Sequence, residues 1–410
     1  MIHAAARRLR AIVNSPRVHV ALTRPWTRRV LPGTPRSFLV FQTNHIGDFV
    51  LGTPLLVALR EAYPAAKIHL AVVQGLAELA RSCPLIDSVT VLPDGLAFWG
   101  PASQVDPRRI ARLAWIAATR LRTFVPDVAI VPRRNTDAHG AAILALFSGA
   151  PRRIGFGGTG SAGRTGDSAG FETYFTDPVA VPGPIHEVLA NRAVATAAGI
   201  ALASWEPCVW HSVEDAAAVD RLFDDANVSR GRLVVFAPGA AAAFRRWPAG
   251  RFAEVGRAVV ADGNTPSVVI AGSTADRESA AEIRALMPDG TCHDFTGRLH
   301  LGQTVALLRR AALFVGNDSG PLHLAAAAGV PCVEVSSFPG DGDPSHPNSP
   351  VRFGPWGVPR RVLQPAMARR PCQRACSAGE AHCILDVEPS AVIEAVRQLL
   401  STPHATSDLR

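Results

Sequence analysis

No run of about 18 uncharged apolar residues occurs in this chain of 410 residues, so a membrane-spanning helix is not expected. The first 30 residues also lack an unbroken apolar stretch, because Arg7, Arg8, Arg10 and Arg17 interrupt it, and an export signal is not expected. Cysteine is sparse and odd in number, seven over the whole length. No disulfide framework is implied, and a reducing cytosol fits best. Cys83, Cys208, Cys292 and Cys332 stand singly beside apolar residues and read as small core fillers. Excess charge is missing from most of the chain as well. Of 42 basic residues, eight arginines (7, 8, 10, 17, 24, 28, 29 and 36) precede residue 37, where there is no acid; the remainder holds 34 of each sign. The net charge of +8 therefore belongs to a basic arm, residues 1–36. A body without net charge argues against nucleic acid as a partner. The arm fits an anionic membrane surface, each basic residue contributing about 1 kcal/mol there, and equally a solvated, poorly ordered leader.

Several catalytic signatures are absent too. There is no Walker loop, no Ser-His-Asp elbow, no His-Glu-x-x-His helix and no repeat of roughly 20–50 residues. Gly155–Gly160 imitates a dinucleotide fingerprint, but no helix is expected after it, which weakens an NAD reading.

What is present is a globular balance of 48% hydrophobic and 19% charged residues. At about 150 residues per domain, two or three compact units are expected. Phe38–Phe41 is a short apolar run that leads through Gly47-Asp48 into a helix from about Thr53 to Ala62. Lys67–Val73, Ser88–Leu92 and Asp127–Val131 read as further strands, with a helix between the last two whose face carries Ile110, Leu113, Ala114, Ala117 and Leu121. Gly155–Gly170 holds seven glycines and reads as a flexible loop. The pattern restarts at Leu233–Phe236, followed by a helix around Phe252–Val260 and strands at Ser267–Ala271, Leu313–Val315 and Cys332–Val335. Strands alternating with helices predict an α/β fold of two Rossmann-like domains, residues 37–205 and 206–400, with a tail at 401–410. A ligand then belongs in the crevice at the carboxyl ends of the strands, between the domains.

Three blocks carry candidate chemistry. In Asn44-His45-Ile46-Gly47-Asp48, Asp48 fits a helix N-cap or first-turn acid, and also a carboxylate base. In Pro238–Pro248, small residues including Gly239, Ala240 and Ala241 expose backbone amides that can cradle phosphate, with Arg245 or Arg246 to neutralise it; an ordinary turn with solvated arginines is the alternative. In Asn317–His323, helix amides and the Ser319 hydroxyl suit an anion, although simple capping by Asp318 and Ser319 also accounts for them. Asp341-Gly342-Asp343 sits among Pro and Gly and reads as a turn rather than a metal pair. Cys372-x3-Cys376-x6-Cys383, beside His382, could bind zinc, but it departs from the paired spacing of zinc sites, which weighs against a metal and leaves binding or pairing open.

These blocks, with their order and spacing, resemble the lipopolysaccharide heptosyltransferase family, inverting glycosyltransferases of GT-B fold. The resemblance runs from Phe38 to about Leu400 and is carried by His45–Ile68, Gly149–Phe156, Pro238–Val255, Phe295–Pro331 and the cysteine-bearing Pro371–Cys383. It implies that Asp48 is the general base and that Arg245 stands where a lysine contacts the donor diphosphate. It implies that Asp318, Ser319, Gly320, Leu322 and His323 form the donor-binding block, with Gly272 and Glu278 near the nucleoside. Asn44, His45, Arg133, Arg134 and Asn135 are expected on the acceptor side. Ala240–Ala243 and Asn44-His45 depart from the hydroxyl residues frequent at those places. The implied reaction moves heptose from ADP-heptose to a lipid-linked core oligosaccharide, at the cytoplasmic face of the inner membrane, without metal or cofactor. Another nucleotide-sugar donor, or a nucleotide-sugar epimerase of the same architecture, is the alternative.

Overall fold

The computed structural model describes residues 15–96, 105–134, 139–157, 170–229, 231–263 and 267–402. The chain divides into two compact units, Met1–Trp205 and Glu206–Arg410. Each is built on a six-stranded parallel sheet.

In the first unit, β1 (Ser37–Gln42) pairs with β2 (Lys67–Val73) on one side and β4 (Val128–Val131) on the other, with Phe38 opposite both Ile68 and Val128. With β3 (Ser88–Leu92), β5 (Arg152–Phe156) and β6 (Asp177–Val179), the order is β3-β2-β1-β4-β5-β6. All six residues of β1 are buried, which is why it reads as a continuous apolar run rather than an alternating one. In the second unit, β7 (Leu233–Ala237), β8 (Ser267–Ile270), β9 (Cys292–Asp294), β10 (Leu313–Asn317), β11 (Cys332–Val335) and β12 (Arg360–Leu363) follow the order β12-β11-β10-β7-β8-β9. Counted from its own first strand, this is the same order as the first sheet. Strand order reverses between β1 and β4 and again between β7 and β10, the places where open α/β sheets leave a crevice at their carboxyl ends.

Helices bury their apolar faces against both sheets. In the second unit, Phe252, Ala253, Val255 and Val259 of the helix Ala249–Ala261 share a core with Val234, Phe236, Val268 and Ile270, and with Val392, Val396 and Leu399 of the helix Pro389–Ser401.

Four strands differ from the sequence reading. β5, β6, β9 and β12 were not expected, because they lack apolar runs: β6 contains Pro178, β9 reads Cys-His-Asp, and β12 begins with exposed Arg360 and Arg361. Gly155 belongs to β5, not to a loop, and a side chain there would run into the Phe175 ring; the glycine-rich stretch 158–169 lies outside the described residues. The helix expected from Thr53 starts at Ile46. Gly47, Gly52 and Pro54 are poor helix formers, but all three are buried, and packing overrides propensity. The arm is not a solvated leader over its second half. Pro16–Thr27 is a helix whose inner face carries buried His19 and Thr23, four residues apart, and His19 Nδ1 meets the Tyr174 hydroxyl at 2.8 Å.

Candidate active site

The candidate residues of the first unit gather where its sheet reverses. Asn44, His45 and Asp48 follow β1, and Arg133 and Arg134 follow the adjacent β4. Asp48 occupies the third position of the helix Ile46–Ala62, and its Oδ2 accepts from the His45 backbone N–H at 3.3 Å. Its other oxygen faces Arg133 at 4.0 Å, and both side chains are partly exposed. Asp48 thus caps the helix with one oxygen while the other looks toward a cation and solvent. Asn44 is half-buried and His45 exposed.

Arg134 departs from its expected place on the acceptor side. It is 1% exposed, pairs with Glu187 at 3.2 Å and donates to the Ile185 carbonyl. Its guanidinium is held inside the unit. Asn135 lies outside the described residues. His139 was not anticipated: burial, then the charges of Arg133, Arg109 and His45, push its pKa down. Nothing in linear spacing marks it.

In the second unit the loop after β7 and the block after β10 come together, because those strands are neighbours. Arg245 Nη1 lies 3.2 Å from Asp318 Oδ2, and Arg245 Nη2 donates to Asn348 Oδ1. Arg246 instead donates to the Ala240 carbonyl at 2.9 Å and closes the loop on itself. Of the two arginines, Arg245 is therefore the one turned to the ends of the strands. Asn317, fully buried, ties the two segments: its amide donates to the Pro238 carbonyl at 2.7 Å and its oxygen accepts from the Trp247 N–H at 3.2 Å.

Ser319 precedes the helix Gly320–Ala327, and its hydroxyl turns back to the Asn317 carbonyl at 3.2 Å rather than capping the helix. Leu322 is fully buried, with its N–H on the Ser319 carbonyl, and His323 is 4% exposed. The first turn of that helix, the Ser319 hydroxyl and the Arg245 guanidinium make an environment suited to a phosphate-bearing ligand.

Gly239 and Gly272 both surround Asp276, which the sequence reading missed. The Asp276 carboxylate accepts from the Ser273 N–H and hydroxyl, each at 2.8 Å. A Cβ on Gly272 would lie 2.8 Å from Asp276 Oδ2, and a Cβ on Gly239 would strike the same carboxylate. The two glycines let the loops after β7 and β8 close on one acid. Glu278 is exposed in the first turn of the helix Arg277–Ala285.

Glu334, in the middle of β11, is a second missed residue. It is 1% exposed; burial, then the Asp318 charge, push its carboxyl well above the ordinary range, against the opposing pull of Arg360 and Arg245. A lone acid inside the apolar Cys-Val-Glu-Val was its only sequence signal. Asp343 Oδ1 accepts from the Ser345 N–H at 2.8 Å, the hydrogen bond of a turn-forming aspartate. Cys372, Cys376, His382 and Cys383 also converge, although their linear spacing spoke against it.

A family model for glycosyltransferase family 9 (heptosyltransferase) matches residues 127–381. Lipopolysaccharide heptosyltransferase 2 of Salmonella typhimurium is 26% identical over 378 residues, covering 89% of this chain and 99% of the relative. Among solved structures, the family 9 glycosyl transferase from Veillonella parvula superposes with a TM-score of 0.72 at 22% identity, over 89% of this chain and 97% of its own. The E. coli ADP-heptose lps heptosyltransferase II superposes with a TM-score of 0.65 at 22% identity, over 89% and 98%. The two parallel-sheet units thus have the counterparts of a GT-B fold.

Proposed function

Since the chain belongs to glycosyltransferase family 9 and is a glycosyltransferase, we propose that it transfers heptose from ADP-heptose to the core oligosaccharide of lipopolysaccharide. The observation that carries this reading is the Arg245–Asp318 pair beside the amides of the helix Gly320–Ala327, at the reversal point of the second sheet. The names of the relatives supply the sugar, the nucleotide and the acceptor class.

In this reading Asp48 removes the proton from the acceptor hydroxyl as that oxygen attacks the anomeric carbon. The carbon–oxygen bond to the diphosphate breaks on the opposite face, the nucleoside diphosphate leaves with the electron pair, and configuration inverts. Arg245 and the helix amides stabilise the charge that grows on the leaving group, which is where fixed donors act most strongly. Asp318 holds the guanidinium in place before the donor arrives. Arg133 orients Asp48 and meets anionic groups of the acceptor.

The acceptor is lipid-linked, and the arm helix supplies a membrane contact in the same proposal. No helix among the described residues is long and apolar enough to cross a membrane. Around the helix Pro16–Thr27, Leu22 is 63% exposed and Trp26, which carries the Arg122 guanidinium over its ring, is 45% exposed, with Val30 and Leu31 just beyond the helix and Arg17, Arg24 and Arg28 exposed among them. Apolar side chains flanked by arginines suit the anionic face of a bilayer.

Thermal stabilisation by ADP, UDP, GDP and NAD at matched concentration tests the donor, since a ligand of the native state raises its stability by mass action. ADP should stabilise most, and Asp48→Asn should abolish heptose transfer while keeping that stabilisation. A preference for UDP or GDP removes ADP-heptose from the reading. Transfer undiminished in Asp48→Asn removes Asp48 from the role of base.

A further inference from the structure

Between the end of β12 at Leu363 and Cys383 lie 19 residues without helix or strand. Loops longer than about 12–15 residues are uncommon inside compact domains unless something else orders them. Apolar packing does not do so here, because Met367, the stretch's one large aliphatic side chain, is 66% exposed. What the segment buries is sulfur. Cys372, Cys376 and Cys383 are 7%, 6% and 0% exposed and form a cluster of their own with Phe244, Ala368 and Ala378.

We propose that Cys372, Cys376, His382 and Cys383 hold one zinc ion in a closed tetrahedral site that orders this segment. One ligand atom from each residue lies within 4.8 Å of all the others. Zinc binds thiolate at about 2.3 Å and imidazole at about 2.0–2.1 Å, so a tetrahedron sets sulfurs about 3.8 Å apart and sulfur about 3.5 Å from nitrogen. The observed separations are 3.9 Å for Cys372 Sγ to Cys376 Sγ, 3.5 Å for Cys372 Sγ to His382 Nδ1, and 3.4 Å for Cys383 Sγ to His382 Nδ1. The Ser377 N–H donates to Cys372 Sγ at 3.4 Å, the outer hydrogen bond a metal-bound thiolate accepts. A disulfide explains less, because it uses two of the three sulfurs and gives the imidazole no part. Three thiolates and an imidazole select zinc over the hard cations, and four protein ligands leave no position for substrate. The linear argument against zinc rested on paired Cys-x-x-Cys spacing, and a chain that folds back on itself does not need that spacing.

The site reaches the arginine turn. Phe244 packs against the cysteines, the turn Ala243–Arg245 packs on Cys383–Asp386, and the Arg245 guanidinium lies over the Phe244 ring at 5.8 Å. The ion thereby sets the position of Arg245, a consequence that rests on the donor role proposed above, whereas zinc binding does not.

Metal analysis of the full-length protein, purified with reductant from zinc-supplemented cells, should give one zinc per chain. Cobalt exchanged into the wild-type protein should show thiolate-to-cobalt charge transfer and the strong visible bands of tetrahedral cobalt. Cys376→Ser and Cys383→Ser should lose the metal, and His382→Cys, which keeps four soft ligands, should retain it. Absence of stoichiometric metal with unchanged thermal stability on adding zinc or chelator would overturn the proposal, as would a Cys372–Cys376 disulfide found by mass spectrometry. Stoichiometric iron in its place would overturn the choice of ion. Zinc bound with ADP affinity unchanged on its removal would leave the site standing and remove only its link to Arg245.

Discussion

Replacing Glu334 by glutamine should make the protein more stable, and the gain should grow with pH. Glu334 is 1% exposed in the middle of β11, and burial together with the neighbouring Asp318 charge raises its carboxyl well above the ordinary value. The folded chain therefore keeps this proton at pH values where the unfolded chain, with a glutamate near pH ~4.3, has released it. In that window the unfolded state binds one proton fewer, so the unfolding free energy falls as pH rises. Stability is fully present below the unfolded value and is lost on the way up to the raised folded value, at about 1.4 kcal/mol per pH unit. Glutamine has the shape of the protonated acid and does not titrate. The advantage of Glu334→Gln should therefore widen as pH rises above the unfolded value, at up to about 1.4 kcal/mol per unit. Urea unfolding of both proteins at a series of pH values, followed by tryptophan fluorescence, measures this. Taking the difference cancels the other titrating groups. Parallel profiles would refute the reasoning, because they would mean that Arg360 and Arg245 hold Glu334 ionised in the folded protein.

Gly239→Ala should lower stability by about 1–3 kcal/mol through collision with the Asp276 carboxylate; adding Asp276→Gly should cost less than the sum of the two single changes, and strict additivity in the melting temperatures would contradict it. Arg134→Ala removes the buried guanidinium that pairs with Glu187 and should cost about 3–5 kcal/mol. Arg133→Ala, at a partly exposed position, should instead raise the acceptor KM with little change in melting temperature, and the reverse pattern would exchange their roles. Changing Leu22 and Val30 together to serine should weaken binding to anionic vesicles in a sedimentation assay and leave stability nearly intact, because both side chains are largely exposed; undiminished binding would remove this segment from the membrane contact.

Most strands that sequence reading located are buried on both faces, such as β1, β7 and β10, where an apolar run is the physical requirement; the edge strand β3 was found by its alternating Val89 and Val91 instead. The ones it missed, β5, β6, β9 and β12, lie toward the sheet edges, and there polar residues are tolerated. A similar division holds for the site. Arg245 and Asp318 were legible because each sits in a glycine- or small-residue-rich segment after a strand. Asp276, Asn317 and Glu334 act across loops that meet only because β7, β8, β10 and β11 lie side by side. The burial of Arg134 was hidden for a related reason: its neighbour Arg133 has the same charge and almost the same position in the chain, and only the packing of Glu187 against it separates the two.

The loop after β7 is completed by residues far downstream. Trp247 Nε1 and Arg251 both donate to the Val387 carbonyl, 140 positions beyond Trp247, and Phe244 leans on the cysteines of the same late segment. On a ribosome adding about 5–20 residues per second, roughly 7–28 s separate the emergence of the loop from that of its support. Through that interval a nascent chain has its first unit and the opening strands of the second, but not the arrangement that steadies Arg245. Assembly of the arginine turn therefore waits for the segment that ends at Val387. A chain cut between Leu363 and Cys372 would keep all the strands of both sheets and leave the arginine turn without its support.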